Sequence, residues 1–507
     1  MTDRSHALEP MDTHNQKLID HVHPADWVNP EPADRYHLVV IGAGTAGLVS
    51  AAGAAGLGAR VALVERHLMG GDCLNVGCVP SKGVISAARA WHGARTAGEL
   101  FGAPETSDGP GDFGAVMERM RRLRADISPV DGAQRFRDLG IDVFLGEGRF
   151  VASDAVEVDG KRLNFRRAVI ATGGRAVTPP IPGLVEADPL TNETIFSLTE
   201  LPKSLAIIGA GPIGCEMAQA FARFGTEVHL FDRGPQILGK EDVDAATVVQ
   251  AAMVRDGVEL HLGAQLQKVS VQGDRKTLHF ESDGKSATVD AEHILVAAGR
   301  KPNTEGLGLE AAGVGYGPQG VDVDARLRTS NSSIFAAGDI ASKYQFTHTA
   351  DAQARMVLRN AFFFGRNKAS SLVVPWATYT SPEIAHVGYY ADDAEAAGYA
   401  VDTMTIPLDD VDRALLDGET EGFLRLHLKK GTDRILGGTL VAAHAGDMIG
   451  ILSLAITHGI GLSKFSSTIF PYPTQGEVFR KAGDAYMRTK LTPSAKGFFD
   501  WWFRIFR

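Results

Sequence analysis

Tyr36-His37-Leu38-Val39-Val40-Ile41-Gly42-Ala43-Gly44-Thr45-Ala46-Gly47 leads into an Ala-rich stretch and then a second apolar run, Arg60 to Glu65. The order is strand, glycine turn, helix, strand. Glycines at 42, 44 and 47 let the backbone approach a pyrophosphate, which rests on the free N–H groups of a helix N-terminus. Glu65 follows Gly47 by 18 residues, the place from which a carboxylate meets a ribose hydroxyl. The pattern recurs. Ser204–Ile208 runs into Gly209-Ala210-Gly211-Pro212-Ile213-Gly214, a helix-like stretch, and Glu227 to Asp232, with Asp232 again 18 residues past the last glycine.

Spacing alone is weak evidence, because 57 glycines in 507 residues supply about 0.7 matches to this pattern by chance. The chain holds four. Gly109–Gly114 and Gly315–Gly320 contain Pro110 and Pro318, follow no clear strand, and are read as loops. The other two have the full context, so the expected class is α/β, with two Rossmann-like units and two bound dinucleotides.

A net charge of −10 leaves no basic footprint for nucleic acid. No apolar run reaches the roughly 20 residues of a membrane-spanning helix. Residues 1–34 are polar, lack the apolar core of a secretory signal, and read as a flexible extension; His6, His14, His21 and His23 could bind metal loosely there, though a solvated tail is the plainer reading. The expected compartment is the cytoplasm, where a close Cys pair is more often catalytic or metal-binding than structural.

Two of the three cysteines lie in Gly70-Gly71-Asp72-Cys73-Leu74-Asn75-Val76-Gly77-Cys78-Val79-Pro80-Ser81-Lys82. Five residues of regular helix span about 7.5 Å, and a disulfide needs Cα atoms within roughly 7 Å. If the two pair, the 73–78 segment is not regular helix, and Gly77 permits the distortion. A zinc site is disfavoured, because no second Cys or His pair lies at ligand spacing; the third cysteine, Cys215, reads as core.

This segment resembles the redox-active disulfide of the flavoprotein disulfide reductases, the family of dihydrolipoamide dehydrogenase, glutathione reductase and mercuric reductase. Ala171-Thr172-Gly173-Gly174 and Ser333-Ile334-Phe335-Ala336-Ala337-Gly338-Asp339 resemble that family's flavin-binding segments. The resemblance covers about residues 36–485. It implies FAD on the first unit (Gly42, Gly44, Gly47, Glu65, Thr172, Gly173, Gly338, Asp339) and NADH or NADPH on the second (Gly209, Gly211, Gly214, Asp232, Arg233). Asp232 favours NADH by repelling a 2′-phosphate; Arg233 could instead accept one. The resemblance further implies that Cys78 lies against the flavin, that Cys73 meets the substrate, and that Lys82 pairs with Glu216 beside the flavin. The implied division is 35–178 and 299–372 for the FAD-binding domain, 179–298 for the NAD(P)-binding domain, and 373–488 for an α+β domain that forms a homodimer.

Trp376–Gly388 resembles the start of that dimerisation domain, and Phe470-Pro471-Tyr472-Pro473-Thr474-Gln475-Gly476-Glu477 its end. Dihydrolipoamide dehydrogenase and glutathione reductase have a His-Pro-x-x-x-Glu arrangement here. This chain keeps Glu477 but has Tyr472 for the His. Ordinary pKa values of about 6.5 and 10 differ by some 3.5 units, about 5 kcal/mol of proton affinity, so Tyr472 is a poor base for thiol exchange. Mercuric reductase has a Phe-Pro-Tyr segment at this place. The expected acceptor is therefore a metal ion, held by Cys73 and Cys78 with Tyr472 in contact. A disulfide substrate of the dihydrolipoamide type is second, and a quinone reductase or flavin redox sensor third. The match is incomplete, because mercuric reductases end in a vicinal Cys pair and no cysteine follows Cys215 here; His444 is a candidate replacement base. The tail, 489–507, combines aromatics with Lys496, Arg504 and Arg507. It fits either packing on the protein's own surface or partner subunit, or peripheral membrane contact, which would make the protein membrane-associated.

Overall fold

The computed structural model describes residues 8–104, 111–363 and 365–506. Tyr36–Ile41 and Val61–Glu65 are parallel strands in register Val39↔Ala62. Every residue of Val61–Glu65 is buried, which explains why the run is apolar throughout rather than alternating. The sheet continues on one side to Asp142–Leu145 and on the other to Lys161–Ile170, which also pairs in parallel with the distant Ile334–Ala336. The chain leaves this sheet after Ile170 and returns to it at Ile334.

In between, Val258–His261, Glu227–Phe231, Ser204–Ile208 and His293–Val296 form a second parallel sheet, in that order. The crossover helices Thr45–Gly56 and Pro212–Phe224 each start at a glycine turn. The C-terminal part is a five-stranded antiparallel sheet, Pro375–Thr378, Glu383–Gly388, Ile435–Ala442, Phe423–Lys429 and Val401–Pro407, with Ala445–His458 and Glu477–Thr489 packed on its core. The fold is the expected α/β class with an α+β C-terminal portion. Gly315–Gly320 is the expected accidental match: it lies in a two-strand hairpin. The 109–114 match falls partly outside the described residues.

Two expectations fail. Residues 8–34 are not a flexible extension. Asp12 caps the helix Thr13–Val22 by accepting from His14 N and Asn15 N, at 3.0 and 2.9 Å. Leu18 and Val22, one helical turn apart, are fully buried. Trp27 Nε1 donates to Val143 O and Asn29 Nδ2 to Leu145 O, at the edge of the first sheet. The segment's polarity hides a stripe of two apolar residues that suffices to dock it. His21 is bonded to Ser128 Oγ and His23 to His67 O, so both are tied into this packing. The tail forms the helix Pro493–Ile505, but it buries no residue on its own chain, which removes the option of folding onto its own surface. Among the described residues no helix is long and apolar enough to cross a membrane.

Candidate active site

The two glycine turns face one continuous cleft of about 2680 Å³. In each turn the outer glycines are sterically required. A Cβ on Gly47 would lie 1.7 Å from Gly42 O, and one on Gly214 1.9 Å from Gly209 O. The middle glycines differ. A Cβ on Gly44 meets only Gly71 Cα, at 3.8 Å, and one on Gly211 meets nothing within 4 Å. These two positions are open cradles beside a helix N-terminus, which is the space a pyrophosphate needs. The residues present thus fit two dinucleotides.

The acidic residues close the turns. Glu65 accepts from Ala43 N (2.6 Å) and His67 N (2.7 Å). Asp232 accepts from Ala210 N (2.8 Å) and Gly234 N (2.7 Å). Burial pushes the Glu65 carboxyl up, opposed by those two N–H donors. Both carboxylates line the cleft; Arg233, the expected phosphate partner, is exposed and does not.

The cysteine segment is not one regular helix, the geometry expected of a pair able to form a disulfide. Gly71–Asn75 is one short helix, Val76 and Gly77 interrupt it, and Cys78 begins the helix Cys78–Phe101. A Cβ on Gly77 would lie 2.7 Å from Asp72 O, so only glycine makes this turn. The thiols are free in this structure, and both face the cleft. Their ionisation diverges. The Cys73 hydrogen bond holds Cys78 down at about 6, helped by Thr347 and the charge of Lys82, against burial. Cys73 is pushed well up, by that same bond and by burial. Its place at a helix N-terminus also favours a Cys78 thiolate. Lys82 Nζ bonds Glu216 Oε2 at 2.9 Å and lies 4.5 Å from the Tyr379 ring; Glu216 Oε1 accepts from Tyr379 N.

Thr172 Oγ1 donates to Asn303 O at 2.9 Å, Gly173 adopts φ +66°, and Gly338 N donates to Gln353 Oε1 at 2.8 Å. Asp339 is raised by burial and opposed by Arg300, whose Nε lies 3.6 Å away. All four residues line the same cleft. Cys215 is fully buried, its Sγ donating to Ala210 O. The sequence reading missed Thr347, whose Oγ1 lies 3.4 Å from Cys78 Sγ, and Arg300, which bonds Asp72. Thr347 opens a helix eight residues after Asp339; nothing in its local sequence marks it.

Tyr472 and Glu477 stand apart. Neither lines the cleft, nor does His444. Tyr472 is 70% exposed and its hydroxyl donates to Asp412 Oδ2 at 2.9 Å, which raises its pKa. Glu477 pairs with Arg480, not with Tyr472. Within one chain Tyr472 and Glu477 are not hydrogen-bonded to each other, and neither lines the cleft that holds the thiols.

Residues 36–354 match the model of the pyridine nucleotide-disulphide oxidoreductases, and 374–483 match that family's dimerisation domain. The chain belongs to this family. It is similar to a mercuric reductase of Bacillus cereus, 37% identical over 90% of this chain and 72% of that one. It is also similar to a dihydrolipoyl dehydrogenase of Geobacillus stearothermophilus, 33% identical over 89% of this chain and 96% of that one. Among solved structures, LpdA from Mycobacterium tuberculosis aligns with TM-score 0.81 at 26% identity, covering 90% of this chain and all of that one. The Cu(II) complex of the HOCl-induced flavoprotein disulfide reductase RclA from Escherichia coli aligns at 0.78 and 28%, covering 88% and 98%. As a pyridine nucleotide-disulphide oxidoreductase, this protein is an FAD-binding enzyme that uses NAD(P)H.

Proposed function

We propose that the protein reduces a soft divalent metal ion, Hg(II) foremost, with electrons from NAD(P)H. The balance is Hg(II) + NAD(P)H giving Hg(0) + NAD(P)⁺ + H⁺. The observation that carries this reading is the missing base relay: Tyr472 is bonded to Asp412 and Glu477 to Arg480. A disulfide acceptor needs a proton delivered to each departing sulfur, whereas a metal ion needs only two soft ligands.

Bound FAD supplies a two-electron relay between the nicotinamide and the thiol pair. The chain's residues set the rest. Gly44 and Gly211 admit the two pyrophosphates. Lys82, fixed by Glu216, keeps a positive charge beside Cys78 and favours its thiolate. Cys73 and Cys78 together offer the metal two sulfurs. The dimerisation segment supports a homodimer, in which Tyr472 and Glu477 would face the partner's cleft. The exposed aromatics of Pro493–Ile505 support packing on the partner subunit; liposome flotation that is lost on truncation at Gly497 would reassign them to a membrane surface.

A second reading has similar support. The dihydrolipoyl dehydrogenases match at 33–34% identity over 95–96% of their own length, close to the 34% over 96% of a Streptomyces lividans mercuric reductase. An assay of flavin-loaded protein with NADH and NADPH against Hg(II), lipoamide, glutathione disulfide and a quinone separates the two. Hg(II)-dependent oxidation at or above ~1 s⁻¹, abolished by Cys73→Ser, is the expected result. Lipoamide turnover without Hg(II) turnover transfers the assignment to the second reading. Turnover that survives Cys73→Ser removes the thiol route altogether.

A further inference from the structure

At the outer edge of the second parallel sheet, His229, Glu259 and His261 converge on one point. Strands Glu227–Phe231 and Val258–His261 pair in register His229↔Glu259 and Phe231↔His261. Alternate residues of a strand share a face, so Glu227, His229, Glu259 and His261 all project to the same side. His229 Nδ1 lies 3.2 Å from His261 Nε2 and 3.4 Å from Glu259 Oε2. His261 Nε2 lies 3.4 Å from Glu259 Oε1.

We propose that His229 Nδ1, His261 Nε2 and the Glu259 carboxylate form a binding site for a zinc-like divalent transition ion, separate from the thiol pair. A tetrahedral ion with bonds of about 2.0–2.1 Å holds its ligand atoms roughly 3.3 Å apart. The His229–His261 separation of 3.2 Å matches that edge length, and each imidazole nitrogen has one of the two Glu259 oxygens at 3.4 Å. Two imidazoles and one carboxylate leave the fourth position to water, and imidazole-rich sets select zinc, copper or nickel over magnesium or calcium.

The surroundings support the site. Glu227 Oε1 lies 3.3 Å from His229 Nε2. A carboxylate there accepts the far N–H of a ligating imidazole and presents Nδ1 with its lone pair inward. His261 is stacked on Phe231, centroids 4.4 Å apart, with Phe280 edge-on at 5.0 Å, so its ring plane is set. His229 is buried, while Glu259 is 61% exposed and gives an ion its entry path. The site also touches the nicotinamide unit, since Asp232 N donates to His261 O at 3.1 Å. An ion here ties the sheet edge to the loop that lines the cleft.

The test uses flavin-loaded full-length protein in a Cys73→Ser/Cys78→Ser background, so that the thiols do not compete. Calorimetric titration with Zn(II) should give one ion per chain, and crystals should show anomalous density between the three side chains. Glu259→Gln, at an exposed position, should weaken binding at least ~10-fold, and Glu227→Gln, which leaves all three ligands, by ~10- to 100-fold. Retained flavin and an unchanged metal-free melting temperature in both variants exclude misfolding. No Zn(II) binding, or binding that Glu259→Gln and His261→Gln both leave intact, would show that the cluster is only a hydrogen-bonded chain and overturn the proposal.

Discussion

The two glycine-turn units are near copies, yet among the described residues only the first is covered. Each has outer glycines jammed against its own backbone, an open middle glycine, and an acid closing the turn onto the next strand. Over the first unit lies the docked segment 8–34, whose Leu8 and Glu9 reach the cleft itself. Arg124, nearly fully buried, donates to Asn15 Oδ1 at 2.6 Å and to Asn75 O at 2.5 Å, clamping that segment to the cysteine turn. Among the described residues no such strap covers the second unit, whose acidic loop ends in the exposed Arg233. On the proposed assignment, that cover would let the same motif hold one dinucleotide permanently and exchange another. The difference lies in what is packed over the motif, not in the motif.

The largest break in this comparison comes from equivalent substitutions. Gly47→Ala places a methyl 1.7 Å from a backbone oxygen and Gly214→Ala one 1.9 Å from its counterpart. Gly47→Ala should yield protein without flavin and without any activity. Gly214→Ala should stay yellow but lose NAD(P)H-driven reduction of its flavin by at least ~100-fold, while dithionite still bleaches it. Absorbance spectra of the purified variants decide. Equal flavin loss in both would mean that the second turn supports the first.

Removing residues 1–34 should act next most strongly. Leu18 and Val22 are fully buried, and each such side chain is worth about 1.5–3 kcal/mol. The truncated protein should release flavin on dilution and melt at a lower temperature, with the KM for NAD(P)H unchanged in molecules that keep flavin. Differential scanning fluorimetry with flavin emission follows both.

How much of this was legible in the sequence follows the range of the interactions. The two units and the break at Gly77 could be read, because each rests on local geometry or on a motif with fixed spacing; the Lys82–Glu216 pair, 134 positions apart, was reachable only through the family resemblance. The docking of 8–34 could not. Its apolar stripe is two residues in a polar run, and it becomes visible only when Phe113–Ile127, more than 90 residues away, supplies the other face. Thr347 was missed for the same reason, since it meets Cys78 across 269 positions. Tyr472 was read as a poor base without its partner, because Asp412 lies 60 residues upstream on another element.

The ion pair joining the two units gives a smaller, signed test. Lys82 comes from the first unit and lowers the Cys78 pKa, while Glu216 comes from the second and raises it. Cys78 is depressed to about 6, so thiolate-dependent turnover should be full at neutral pH and fall as pH drops through about 6. Lys82→Met removes a lowering charge and should move that acid limb to higher pH. Glu216→Gln removes a raising charge and should move it lower. Iodoacetamide alkylation rates against pH measure the limb directly, and shifts of the same sign in both variants would contradict the assigned charges.

The smallest expected effect concerns nicotinamide choice, where the two units differ by an acid's reach. Asp232 spends both oxygens on Ala210 N and Gly234 N, and its negative charge still faces the cleft, where a 2′-phosphate would be repelled. NADH should therefore be preferred. Arg233→Ala should change the KM for NADPH less than about twofold, because its side chain does not line the cleft. Asp232→Asn keeps one acceptor oxygen and removes the charge, so it should narrow the NADH preference several-fold, with kcat altered little. Were Arg233→Ala instead to raise the NADPH KM by tenfold or more, the loop would have to turn inward when the coenzyme binds. The uncovered second unit would then owe its exchangeability to that movement, not to the lack of a strap.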